Sequence, residues 1–153
     1  MSKSFVSPYG ITLNEGGKID IFPAIEIGLQ NKDGEWLSLF FVIDSGAAIS
    51  ALPKSDARVL GVDLINGKPM FIGGIAGEII RGWQHTIPVR LGHKKIRLPV
   101  VFLENDSSPR VVGRAGVFEN YTIIFEESRR RSAFLNEKTK ESRKISAVLD
   151  EIK

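Results

Sequence analysis

One short segment of the sequence places an acid, a hydroxyl and a glycine directly after an apolar run. Phe41 to Ile43 is followed by Asp44-Ser45-Gly46-Ala47. An acid at the end of a buried strand is costly unless something compensates for its burial. Gly46 permits a tight turn, and Ser45 supplies a hydroxyl that can bond locally or across an interface. The layout suits the display of a carboxylate at a strand end, although an ordinary Asx turn would use the same residues.

A second segment, Met70 to Gly82, has glycines at 73, 74 and 77 and isoleucines on its arms. This pattern predicts a hairpin that acts as a mobile cover with an apolar underside. A plain glycine-rich hairpin fits equally, whereas a phosphate-binding loop does not, because no Gly-Lys-Ser/Thr ending is present. A third segment, Val111 to Arg114, indicates a buried strand that ends in a glycine and enters a helical turn.

In this order, the three segments resemble the retropepsin family, the viral-type aspartic proteases. The resemblance extends from about Phe40 to Phe125, more than half of the chain. It rests on the Asp-Ser-Gly-Ala run at 44–47, the Ile-Gly-Gly-Ile-x-Gly run at 72–77 and the Val-Val-Gly-Arg run at 111–114. The conjunction of three motifs in order is far more specific than any one of them.

The resemblance implies a role for each matching residue. Asp44 is expected to be the catalytic acid, Ser45 to bond across a dimer beneath the active site, and Gly46 to accept the substrate backbone. The remaining residues that we expect to contact substrate, from the strand end, the flap and the side-chain pockets, are Ala47, Ile72, Gly73, Gly74, Ile75, Pro109 and Val111.

Two positions depart from the family pattern. Ala76 stands where retroviral flaps usually have glycine, so the turn at the flap tip is expected to differ. Ala48 stands where they usually have an aspartate that pairs with the arginine matching Arg114. Arg114 must therefore find another partner in this chain.

Peptide hydrolysis by two carboxylates requires one charged and one protonated group, and like charges held close together share a single proton. The ionised group activates water, and the protonated group polarises the scissile carbonyl. Because this chain has one Asp-Ser-Gly motif, a second copy must supply the other acid across a two-fold axis. We therefore expect a homodimeric aspartic endopeptidase that cleaves extended peptides at apolar residues.

Two other functions stay open. A protease-like dimer could bind peptides or partner proteins while cutting poorly, and Ala48 and Ala76 give this alternative some weight. The intact motif at Asp44 favours the enzyme, since a module freed from catalysis need not retain a costly buried acid. The basic tail leaves a weaker alternative, an adaptor for assembly or nucleic acid.

Many short strands with turns about every ten residues predict an all-β closed barrel or sandwich with one or two short helices. One helix is predicted from Pro53 to Leu60, ended by Gly61, and a helical turn over 115–120. The expected strands span 19–29, 36–43, 49–52, both arms of the 70–82 hairpin, 86–91, 95–103, 110–112 and 121–125.

The last part of the chain differs in composition from the rest. Residues 128–153 contain eight Lys or Arg and four Asp or Glu, while residues 1–127 are nearly neutral. We expect a protease domain at 1–127, followed by a basic linker. Ile145, Val148, Leu149 and Ile152 then predict a short amphipathic helix.

Several classes of function are disfavoured. The chain has no cysteine, and its two histidines, His85 and His93, lie apart without ligand spacing, so no metal and no cofactor are expected. The longest apolar run, Leu39 to Ile43, is too short to span a membrane, and no signal peptide is apparent, so the cytoplasm is the default location. The run Arg129 to Arg131 lacks aromatic neighbours, so no nucleic-acid partner is expected.

Overall fold

A computed structural model of the chain describes residues 3–74 and 76–152. The strands are β1 (Phe5–Pro8), β2 (Gly10–Leu13), β3 (Ile19–Phe22), β4 (Ala24–Gln30), β5 (Trp36–Ile43), β6 (Ser50–Pro53), β7 (Lys68–Gly73), β8 (Ile79–Leu91), β9 (Lys94–Leu103), β10 (Val111–Val112), β11 (Tyr121–Glu126) and β12 (Arg131–Asn136). The helices are α1 (Lys54–Leu60) and α2 (Lys140–Glu151).

Seven strands form the main sheet, in the order β4-β5-β10-β6-β9-β8-β7. Strand β8 also pairs with β4, with Ile27 opposite Leu91, so the sheet closes on itself. The predicted all-β closed barrel with short helices is therefore confirmed.

The barrel interior is filled by aliphatic residues that alternate along the strands. On β4, Ile25, Ile27 and Leu29 are buried, and Phe41 on the neighbouring β5 is buried beside them. Because alternate residues of a strand point to the same side, these residues form one core with alternate buried residues of β8 and β9. Burial of each large side chain contributes roughly 2 kcal/mol to folding.

Three predicted elements differ in the structure. The strand expected over 19–29 is divided at Pro23, which has no N–H to continue a ladder. The hairpin arm and the 86–91 strand merge into the thirteen-residue β8. Of the helical turn expected at 115–120, one helical hydrogen bond forms, from the Phe118 amide to the Arg114 carbonyl at 2.9 Å. The rest is tight turns, because Gly116 has a φ of 75°. The predicted helix at 53–60 is confirmed as α1, which ends at Gly61.

The expected linker is wrong for the segment that forms β12. This strand is the centre of a three-stranded sheet, between β1 and β11. Phe134 is fully buried, and its ring stacks on Phe5 with centroids 4.8 Å apart. The helix expected after the linker is confirmed as α2. A domain boundary after residue 127 stays a prediction, but β12 pairs along its whole length with β11, which precedes that boundary.

A separate hairpin, β2–β3, precedes the barrel. Ile11 pairs with Ile21 and Leu13 with Ile19, so one face of this hairpin carries four exposed aliphatic residues. No helix in the described ranges is long and apolar enough to cross a membrane.

Candidate active site

Strand β5 delivers Asp44 to one end of the barrel. Its partner β10 runs parallel, with Val112 opposite Ile43. The Val42 amide donates to the Arg110 carbonyl at 2.9 Å, and the Asp44 amide donates to the Val112 carbonyl at 3.1 Å. The backbone of the acid is therefore held as the last rung of a ladder that begins in the core.

The turn after β5 orients the carboxylate. The Gly46 amide donates to Oδ1 of Asp44 at 2.8 Å, and the Ala47 amide donates to the Asp44 carbonyl at 3.3 Å. Asp44, Ser45 and Gly46 are all exposed in the single chain. An exposed, oriented carboxylate at the end of a buried strand is available to a ligand or to a second protein surface.

Arg114 finds its partner in the same turn. Its guanidinium Nη1 donates to the Ser45 carbonyl at 2.8 Å and to the Gly46 carbonyl at 3.2 Å. Its own backbone amide donates to the Ala47 carbonyl at 2.9 Å. Because residue 48 is alanine and not aspartate, Arg114 binds backbone carbonyls in its place. The arginine thereby stabilises the turn that carries Asp44.

Gly113 is packed against the chain that follows the acid. A Cβ at this position would lie 2.5 Å from the carbonyl carbon of Ile49 and 2.9 Å from the Ala47 carbonyl oxygen. The Gly113 amide donates to the hydroxyl of the fully buried Ser50 at 3.1 Å. We call this assembly, the turn 44–47 with residues 112–114, the floor of the site.

An ion pair that sequence reasoning missed supports the floor from behind. Asp56 of α1 is 5% exposed and accepts from Nε and Nη2 of Arg110 at 2.6 and 2.8 Å. Hydrogen bonding to Asp56 raises the pKa of the Arg110 guanidinium. Arg110 is the residue whose carbonyl receives the Val42 amide, so the pair fixes the start of β10. Asp and Arg 54 residues apart give no sequence signal of pairing.

The β7–β8 hairpin lies over the floor and encloses a groove of about 620 Å³. The groove is lined by Asp44, Gly46, Ala47, Ala48, Ile49, Ala51, Met70, Phe71, Ile72, Gly73, Gly74 and Val111. Asp44 is the one titratable residue in this lining. The groove is therefore an apolar channel with a single carboxylate at its base.

The tip of the hairpin turns without a glycine at 76. The Gly77 amide donates to the Gly74 carbonyl at 3.1 Å, and the Gly74 amide donates to the Glu78 carbonyl at 2.8 Å. Gly77 has a φ of 80°, so it supplies the left-handed residue that closes this type of loop. The position with the positive φ that favours glycine is 77, so alanine can occupy position 76.

The structure brings most of the expected site residues together. Of these, Asp44, Gly46, Ala47, Ile72, Gly73, Gly74 and Val111 line the groove. Ser45 and the exposed Pro109 are not in the lining, and Ile75 lies outside the described residues. Ala48, Ile49, Ala51, Met70 and Phe71 were not expected there. Met70 shares a strand face with Ile72, so period-two alternation along β7 could have identified it.

No metal centre is evident near this groove. In the ranges 3–74 and 76–152, no group of three or more His, Asp or Glu side chains is close enough together to hold a metal ion. His85 instead lies with Nε2 3.1 Å from the Leu64 carbonyl, and its ring meets Phe102 edge-on. His85 thus packs between a backbone carbonyl and an aromatic ring.

Among solved structures, the chain is similar to a retropepsin-like aspartic protease from Rickettsia conorii, with 19% sequence identity and a TM-score of 0.54 over 88% of this chain and 94% of that one. It is also similar to EIAV protease complexed with the inhibitor HBY-793, with 19% identity and a TM-score of 0.47 over 61% of this chain and 82% of that one. No protein-family model and no curated protein sequence matches the chain. The closed barrel and the likeness to the Rickettsia conorii protein together show that this chain has the retropepsin-like fold.

Proposed function

We propose that the chain is one subunit of a homodimeric aspartic endopeptidase in which two copies of Asp44 form the catalytic pair. The observation that carries this proposal is the single exposed carboxylate at the base of an apolar groove beneath a hairpin. One carboxylate cannot act as both the base and the acid that peptide hydrolysis by water requires. A second copy on a two-fold axis through this site would supply the missing group.

The chemistry follows from the shared proton. The ionised Asp44 takes a proton from water as the water oxygen attacks the scissile carbonyl carbon, and the protonated Asp44 donates a hydrogen bond to the carbonyl oxygen. Collapse of the tetrahedral intermediate breaks the C–N bond, and the nitrogen leaves with a proton from the pair. The hydrogen bond from the Gly46 amide orients each carboxylate for this exchange.

The groove favours an extended peptide with apolar side chains. Ile49, Met70, Ile72 and Val111 present aliphatic or thioether surface around the acid. Strand β7 is an edge strand of the seven-stranded sheet, so its backbone can pair with a substrate in strand conformation. In this proposal Gly46, Ala47, Gly73 and Gly74 contact the substrate backbone, and Ser45 lies toward the partner subunit.

The test of the catalytic acid is a peptide-library digestion with wild type and the Asp44→Asn variant, read by mass spectrometry. The rate of cleavage is expected to fall by about a thousandfold, because an amide cannot exchange the required proton. Asp33→Asn is the matched control, since Asp33 lies exposed in the turn between β4 and β5. Equal cleavage by wild type and Asp44→Asn contradicts the mechanism.

The same assay separates the enzyme from a peptide-binding module. If wild type binds library peptides but cuts none of them at any pH, the endopeptidase proposal is wrong and the module is favoured. For the enzyme, the rate is expected to pass through a maximum at acidic or mildly acidic pH, because the pair must hold one proton. A rate that rises steadily into alkaline pH contradicts a carboxylate pair.

Dependence on a second subunit is tested by dilution and by mixing. Specific activity is expected to fall as the protein is diluted through its dimer dissociation constant. Wild type refolded together with an excess of Asp44→Asn is expected to lose activity, because mixed dimers hold one acid. Specific activity that stays constant where sedimentation shows only monomer contradicts the shared site.

A further inference from the structure

Helix α2 has an apolar stripe that the rest of its chain leaves largely uncovered. The stripe consists of Ile145, Val148 and Leu149 on the helix and Ile152 at its C-cap, of which the last three are 52%, 59% and 68% exposed. The start of the helix is anchored: Ser142 is buried, and its hydroxyl lies 3.3 Å from Oγ1 of Thr122. An isolated helix of this length is marginal in water, and most helices in proteins are stabilised by packing of an apolar face. The exposed stripe of α2 lacks most of that packing within its own chain.

The charged side chains of α2 have the opposite order to the one that the helix dipole favours. The N-terminal half carries Lys140, Arg143 and Lys144 with Glu141, and the C-terminal end carries Asp150 and Glu151. Lys153 follows in the sequence, outside the described residues. The helix dipole favours acids at the N-terminus and bases at the C-terminus. A second copy lying antiparallel would place each acidic end beside a basic end and the N-terminus of its partner.

Two of these charges flank the stripe. Lys144 and Glu151 lie seven residues apart, two turns along one side, roughly 90 to 110° from the centre of the stripe. Within residues 3–74 and 76–152, neither of them forms an ion pair. Arg143 and Asp150 have the same spacing and signs but lie on the opposite side, roughly 150 to 170° away. The chain thus contains a flanking pair and a matched pair that faces away.

We propose that α2 is a self-association element, in which two copies pack antiparallel along this stripe with Lys144 of each beside the partner's Glu151. The occupant of the stripe is therefore a second copy of this chain. Antiparallel pairing brings opposite charges together twice, whereas parallel pairing aligns the basic halves with each other and the acidic ends with each other. The choice of a second copy agrees with the proposed homodimer, but the helix contact is separate from the catalytic groove.

Charge reversal tests the pairing in the full chain on the Asp44→Asn background, so that self-cleavage cannot alter the result. Lys144→Glu and Glu151→Lys alone are each expected to weaken association by about tenfold in sedimentation equilibrium. The double variant Lys144→Glu with Glu151→Lys is expected to restore it, because both ion pairs re-form with reversed polarity. Arg143→Glu is the control, with the same charge change on the opposite side and unchanged association expected.

Cross-linking tests the direction of the pair, and the natural chain contains no cysteine to interfere. Val148 lies beside the expected two-fold axis, so Val148→Cys is expected to form a disulfide-linked dimer under oxidised glutathione. Ile152→Cys is expected to remain uncross-linked, because antiparallel packing separates the two copies of residue 152 by roughly 13 Å along the axis. Efficient cross-linking at both positions indicates a parallel pair and overturns the proposal.

The proposal is also overturned if the single reversals leave association unchanged, if Arg143→Glu weakens it equally, or if the double variant does not restore it. Circular dichroism of each variant checks that α2 and the barrel are folded. Because association is read without cleavage, a failure here leaves the test of Asp44 in the peptide digestion unaffected, and the reverse also holds.

Discussion

The floor of the groove and the β7–β8 hairpin above it, which we call the flap, both contain glycines, yet the surroundings of these glycines differ. At the floor, Gly113 is pressed against backbone, and Arg114 fastens the turn through two carbonyls. At the flap, nothing lies within 4 Å of a Cβ added to Gly73 or Gly77. Glycine serves close packing in the floor. At the hairpin tip it has open space around it, and Gly77 supplies the positive φ that the turn requires.

Gly113→Ala should disrupt the floor, and it is the substitution from which we expect the largest loss of stability. The new methyl group would meet the backbone of Ile49, which cannot move as a flexible side chain can. We expect the free energy of unfolding to fall by about 3 kcal/mol or more. Urea denaturation followed by circular dichroism measures this loss, and a loss below about 1 kcal/mol would contradict the close packing of the floor.

Arg114→Ala should loosen the floor without filling any space. It removes the donors to the Ser45 and Gly46 carbonyls, and the loss of stability is expected to be about 1–2 kcal/mol because the arginine is partly solvated. If Asp44 is catalytic, kcat should fall more than KM rises, since the turn that carries the acid relaxes. Arg114→Lys can reach one carbonyl at a time, so its kcat and stability should lie between those of wild type and Arg114→Ala. An effect confined to KM would argue against this positioning role.

Gly77→Ala sharpens the comparison at the flap. The residue has a φ of 80°, which strains any side chain although the surrounding space is open. We expect a loss of about 1 kcal/mol, local to the hairpin tip. Hydrogen exchange of the β7 and β8 amides measures it, and increased exchange should stop short of the strands that carry Asp44. Increased exchange throughout the barrel would mean that flap and floor are one cooperative unit.

Gly73→Ala should have the smallest effect. The position has an ordinary extended backbone and no neighbouring atoms in the way. The free energy of unfolding should therefore change by no more than about 0.5 kcal/mol. The same glycine-to-alanine change at 113 is the direct contrast. A similar loss at both positions would remove the distinction between floor and flap.

Local residue patterns predicted much of this architecture because they act over short distances. The apolar run before Asp44, the proline and glycine around α1, and the spacing of the apolar residues of α2 each specify an element from neighbouring residues alone. The strand β12 was missed for a physical reason. Its buried positions are Ser132, Phe134 and Asn136, so the period of two was hidden by polar residues on the inner side.

The sequence by itself determined that a carboxylate stands at the end of a core strand, with a glycine-rich hairpin and a Val-Val-Gly-Arg segment farther along the chain. Only the tertiary structure decided what holds that carboxylate in place. Arg114 donates to two backbone carbonyls, and Arg110 pairs with the buried Asp56. Backbone acceptors are the same at every residue, and an ion pair across 54 residues depends on how the strands fold back. Neither contact can therefore be predicted from the amino-acid sequence alone.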